Sequence, residues 1–116
     1  MDIQKQIDTI NSVKLDERIS FWEDLIFMAD EYLNSINQDE TLALNIINCI
    51  GGIRTSRFIE SDIDIKLLDA SLRIARKLVK HKKILKDILK DILYYSNYYP
   101  EKYNKELLEQ EIKNIN

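Results

Sequence analysis

The stretch from Ser61 to Tyr99, SDIDIKLLDASLRIARKLVKHKKILKDILKDILYYSNYY, decides the fold. Its apolar residues Ile63, Leu67, Ile74 and Leu78, then Ile84, Ile88 and Ile92 with Leu85, Leu89 and Leu93, recur at spacings of three, four and seven. Those intervals place them on one side of an α-helix. A single rod from Asp62 to Tyr98 would be unusually long. The basic group Lys80-His81-Lys82-Lys83 suits a helix C-terminus, where cations meet the negative end of the dipole, so a break is expected at 80 to 83. ILKD occurs at 84–87 and again at 88–91, which is a helical stripe and not an architectural repeat. Periodicity of this kind fixes architecture and leaves chemistry open, because unrelated functions share helical scaffolds.

The remainder of the chain must pack against that stretch. The opening segment sets Ile3, Ile7, Ile10 and Val13 on one stripe, a first helix of about three turns. Asp16 is read as the N-cap of a second helix running to Ile36, whose Ile19, Trp22, Leu25, Ile26, Ala29, Leu33 and Ile36 form a buried face. Asp39 caps a third helix, Glu40 to Ile50, apolar nearly all round and expected to be central. Gly51-Gly52 is expected to end it in left-handed geometry, with Ile53 to Ile59 as a connection. Ser61 and Asp64 resemble a capping box for the fourth helix, and Asp62-x-Asp64 reads as a helix-start charge pair. Pro100 breaks the fifth helix and fits the first turn of a sixth carrying Tyr103, Leu107, Leu108 and Ile112, with the last few residues expected to fray.

Composition agrees. Two glycines and one proline in 116 residues leave little material for the turns of a sheet protein, and that length suits one domain. The expectation is an all-α fold, a single-domain bundle of five to six helices over residues 1–116. No segment approaches the eighteen or so apolar residues of a membrane span, and MDIQKQIDTINSVK lacks the basic start and apolar core of a signal peptide. A cytoplasmic protein without a membrane partner is expected. One cysteine, Cys49, cannot form an internal disulfide, and its neighbours Ile46, Ile47 and Ile50 mark it as a buried apolar residue.

Charge is divided unevenly. Residues 1–64 hold thirteen acids and five bases, a balance of −8; residues 65–116 hold seven acids and twelve bases, a balance of +5. Such asymmetry bears on partners and on pairing between copies of the chain. Residues 66–90 carry a net +7 that could meet phosphates, but the overall −3 and the acidic second helix argue against a nucleic-acid partner. One histidine and one cysteine cannot assemble the usual four zinc ligands, so neither a metal nor another cofactor is expected. Gly51-Gly52 lacks the spaced glycines and lysine of a phosphate-binding loop.

The most informative local pattern is on the outer side of the second helix. Asp16, Glu17, Glu23, Asp24, Asp30 and Glu31 lie there with Phe27 in their midst, and four of these acids stand three or four residues from the ring. From Asp16 to Glu40 there are eight acids and one base, Arg18. An aromatic inside a charged surround is a common form of binding hot spot, with the ring as anchor and the charges steering the encounter. Tyr94 and Tyr98 share a face with Asp87 and Asp91, away from the apolar stripe of their helix, and extend the candidate partner-binding set.

Two resemblances bear on function. In physical type, a small, acidic, all-helical protein with aromatics in an acidic face resembles the immunity proteins, which neutralise a toxin or nuclease by occupying its basic surface. That implies a non-enzymatic inhibitor whose partner is a basic protein such as a cognate toxin domain. Separately, Arg76-Lys-Leu-Val-Lys-His81 resembles the Arg-x4-His motif of HEPN ribonucleases over six residues, with Lys77 where a polar Asn or Asp often follows the arginine. That resemblance implies a homodimer cleaving RNA through Arg76 and His81. Positions five apart on one helix diverge by about 140°, so a helix break or a second chain would have to complete such a site. A helical scaffold in which opposite charge halves pair between chains is the remaining alternative.

Overall fold

The computed structural model describes residues 2–36, 38–55, 59–78, 80 and 82–115; His81 and the side chain of Leu78 lie outside that description. The elements are α1 (Ile3–Ser12), a 3₁₀ segment (Leu15–Phe21), α2 (Trp22–Leu33), α3 (Glu40–Arg54), α4 (Ser61–Leu78), α5 (Lys82–Ser96) and α6 (Lys105–Lys113). It is an all-α bundle of six α-helices, with no strand among the described residues. The break expected at 80 to 83 is present but lies slightly earlier, with α4 ending at Leu78 and α5 beginning at Lys82.

α4 lies at the centre of the assembly because it is apolar on several sides. Ile65, Leu67, Leu68, Ala70, Leu72, Ile74 and Ala75 are all buried, and α2, α3 and α5 pack on it. α3 shares that central place, touching α1, the 3₁₀ segment, α2 and α4. Their side chains join those of α1, α2, α5 and α6 in one continuous hydrophobic core. Cys49 is inside it, and burial raises its thiol pKa against the opposing pull of Arg18.

The start of the second helix departs from expectation. Asp16 is not a cap: it lies within the 3₁₀ segment, whose own cap, Lys14, makes no side-chain bond. The cause is Arg18, which donates from Nε to the Val13 carbonyl at 3.0 Å and from Nη2 to the Asn11 carbonyl at 2.8 Å. This guanidinium collects carbonyls at the end of α1 and draws the next turn tight against it, favouring the narrower 3₁₀ winding. α-helical winding therefore begins at Trp22, and the inward stripe becomes Leu25, Met28, Ala29 and Tyr32. Met28 and Tyr32 were absent from the expected face. Ile36, expected on that face, lies beyond the end of α2 and is 99 % exposed.

At the next junction Asp39 caps α3 as expected, its Oδ1 accepting from the Leu42 N–H at 2.7 Å. Gly51 and Gly52 do not end the helix; neither has positive φ, and α3 continues to Arg54. Tertiary contact outweighs glycine's weak propensity there, because Ile53 is fully buried and Arg54 is bound to Asp64. Pro100 likewise does not open α6. It sits in a turn closed by the Lys102 and Tyr103 N–H groups on the Tyr99 carbonyl, and α6 is capped by Asn104, which accepts from Leu107 N at 3.2 Å. Tyr103 thus precedes α6, and Leu107, expected on the apolar stripe, is 66 % exposed. Leu108 is the buried anchor of α6, which packs on α5.

Candidate functional site

α2 presents its polar side outward. Phe27 is 54 % exposed, and Glu23, Asp24 and Glu31 around it are exposed too. Trp22 to Leu33 is one regular helix, so these residues keep the i±3 and i±4 spacing that surrounds the ring. Asp30 differs from its neighbours, because Arg73 of α4 donates to its Oδ1 from Nη1 at 2.6 Å. Glu17, Glu23, Asp24 and Glu31 have no ion-pair partner among the described residues. Glu17 is exposed on the 3₁₀ segment and so stands on a different element from the ring.

The ring is also a wall of a cleft. Phe27, Phe21, Met28 and Ile10 supply its apolar surface, while Asp24, Gln6 and Thr9 supply polar groups, around a volume of about 410 Å³ between α1 and α2. An exposed ring, an apolar recess and a carboxylate at its edge together suit a side chain that is apolar along its stem and cationic at its tip.

The second aromatic strip runs along the outside of α5 and into the turn after it, where Tyr98, expected on the same helix as Tyr94, lies beyond the helix end at Ser96. Asp87, Asp91, Tyr94 and Tyr98 are exposed there. The Tyr94 and Tyr98 rings are 5.5 Å apart between centroids, and their hydroxyls are separated by 3.3 Å. That hydrogen bond, with the Tyr98 charge, raises the Tyr94 pKa. Asp91 is drawn towards Arg54, with Oδ2 3.4 Å from Nη1. The cleft beside Phe27 is lined by no residue of this strip.

A third cluster was not anticipated. Asp64 is buried and does not serve a capping box: its Oδ1 accepts from Arg54 Nε at 2.5 Å, and its Oδ2 accepts from the Tyr95 hydroxyl. Burial and the Asp64 carboxylate push the Tyr95 pKa up to about 12. Burial alone would lower the Arg54 pKa, but Asp64 and Asp91 outweigh it and raise it. A signal for this cluster was present in the sequence, since Asp64 shares the helical stripe of Leu68, Ser71 and Ala75.

Comparison with known proteins gives no match: no family model, no curated protein and no solved structure. The reading of function therefore rests on the side chains themselves. Among the described residues no three His, Cys, Asp or Glu side chains are grouped to hold a metal ion, and no helix is long and apolar enough to cross a membrane. Arg76, one member of the HEPN-like pair, donates from Nε to Glu111 Oε2 at 3.0 Å and also bonds Oε1 through Nη2. His81, the other member, is outside the described residues.

Proposed function

We propose that this protein is a binding inhibitor of the immunity-protein type, one that neutralises a basic protein such as a toxin or nuclease domain by covering its active surface. The observation that carries the reading is Phe27, an aromatic ring 54 % exposed on a helix face whose surrounding Glu23, Asp24 and Glu31 carboxylates have no ion-pair partner among the described residues. A ring in water gains free energy when a partner covers it, and unpaired surface carboxylates attract a cationic partner without a competing internal bond. The cleft beside the ring gives such a partner a place to seat one side chain. Glu17 extends the acidic surface, Asp30 contributes a carboxylate shared with Arg73, and the strip of Asp87, Asp91, Tyr94 and Tyr98 offers a second contact.

The proposal is tested by expressing the reading frames that flank this protein's gene, each alone and each together with it. One flanking product should arrest growth and be neutralised by this chain. In the purified complex, Phe27→Ala should weaken binding by about 2 kcal/mol or more, roughly thirtyfold in Kd. Glu23→Lys with Asp24→Lys should slow association and flatten its dependence on salt. Rescue of no flanking product, or a complex indifferent to all three substitutions, overturns the proposal.

A further inference from the structure

We propose that the cleft formed by α2, α4, α5 and α6 binds a small amphiphile: one anionic head, carboxylate or phosphate, on an apolar body. This site does not include Phe27 and does not rest on the partner-binding reading; the two surfaces meet at the Arg73–Asp30 pair. The cleft has a volume of about 480 Å³, within the range of roughly 300–1,000 Å³ common for ligand sites. Its floor is apolar and drawn from three helices: Leu72 of α4, Ile92 of α5 and Leu108 of α6, all buried.

Its rim is cationic. Lys66, Arg73 and Arg76 line it, and their spacings of seven and three residues bring all three to one side of α4. Asp69 also lines the cleft, but its carboxylate is taken by Lys102 Nζ at 2.8 Å and the Tyr103 hydroxyl at 2.9 Å. Lys66 has no carboxylate partner among the described residues, and its ammonium rests 5.4 Å from the Trp22 ring centroid. Arg73 and Arg76 are paired with Asp30 and Glu111, which are not lining residues. Both pairs join partly exposed side chains; the Arg73–Asp30 pair is a single contact that an incoming anion exchanges readily, the Arg76–Glu111 pair is bidentate and holds more firmly, and each guanidinium has further donors to offer. An anionic head would meet three cations at the mouth while its apolar body covered Leu72, Ile92 and Leu108. A cationic head would meet the same three charges with the wrong sign.

The test is a titration of the isotope-labelled chain with sodium decanoate below its micelle threshold, followed by backbone amide shifts. Decanol and decyltrimethylammonium serve as neutral and cationic counterparts. Saturable shifts at Leu72, Arg73, Arg76, Ile92 and Leu108 are expected with decanoate, binding at least tenfold weaker with decanol, and no saturation there with the cation. Arg73→Gln should weaken decanoate binding about tenfold, and Glu111→Gln, which frees Arg76, should tighten it about threefold. The second variant matters because a merely structural role for the rim would not produce tighter binding. Lys66→Gln provides a weakening variant that leaves both ion pairs intact. Co-sedimentation with phosphatidylglycerol vesicles that is lost in Arg73→Gln would assign the head to a membrane lipid, whereas decanoate binding without co-sedimentation assigns a free amphiphile. Absence of saturable shifts at the cleft, equal binding of all three probes, or decanoate affinity unchanged in natively folded Arg73→Gln and Lys66→Gln overturns the proposal.

Discussion

Two groups of carboxylates in this protein stand in opposite physical situations. On the outside of α2, Glu23, Asp24 and Glu31 are solvated and unpaired among the described residues, whereas Asp64 is 5 % exposed and holds Arg54 and Tyr95 from two other helices. Water stabilises the first group, so those side chains remain free to meet another molecule. The second group is stabilised only by its partners, so it is committed to joining α3, α4 and α5. The difference separates acids available for recognition from an acid consumed by the fold.

The largest effect that would break this contrast is expected at Arg54. Arg54→Met leaves the Asp64 charge buried without its cation and should cost about 3–5 kcal/mol, read as a lowered urea midpoint. Adding Asp64→Leu should restore much of that loss, since an apolar pair no longer buries an orphan charge. Phe27→Ala should do the reverse of Arg54→Met: binding weaker by about 2 kcal/mol, with stability altered by less than about 1 kcal/mol because the ring is half in water. A large stability loss without a binding change would assign Phe27 to the fold and not to recognition.

Tyr95→Phe should cost about 1–2 kcal/mol, because Asp64 loses a donor but keeps Arg54. The same hydroxyl gives a pH signature. Its pKa is raised from 10.0 to about 12 in the folded state, so the native protein holds that proton more tightly than the unfolded chain does. Its stabilising contribution is complete below pH 10 and is lost as pH rises towards 12. Tyr103, raised by burial and by Asp69, acts in the same direction. Urea midpoints measured across this range should fall, less steeply in Tyr95→Phe.

The smallest effect concerns the segment that delivers Arg54. Gly51 is helical, and a Cβ added there would meet no atom within 4 Å, so Gly51→Ala should stabilise by about 1 kcal/mol. Had Gly51 been a left-handed terminus, the same substitution would destabilise.

The period-3.6 pattern of residues 61–99 was legible in sequence, as were the break before Lys82, the Asp39 cap and the outward placement of Phe27, Tyr94 and Tyr98. Each of these depends on residues within a turn or two of one another. The readings that failed depended on distant partners. Asp16 is an adequate cap in isolation, but Arg18 reaches back to α1 and changes the winding. Gly51-Gly52 is an adequate stop in isolation, but Ile53 and Arg54 have partners that carry α3 onward. Asp64 made a plausible capping residue until α3 and α5 supplied its cation and hydroxyl.

The amino-acid order by itself determined that the chain is helical, where its longest helices lie and which of their sides are polar, because side-chain direction follows residue spacing along a helix. Only the tertiary structure decided which charges are spent. Arg73 is given to Asp30, Arg76 to Glu111 and Arg54 to Asp64, whereas Glu23, Asp24 and Glu31 have no ion-pair partner among the described residues. The reason is geometric: an ion pair forms within about 4 Å, and residues ten to forty-three positions apart reach that distance only after the helices have packed.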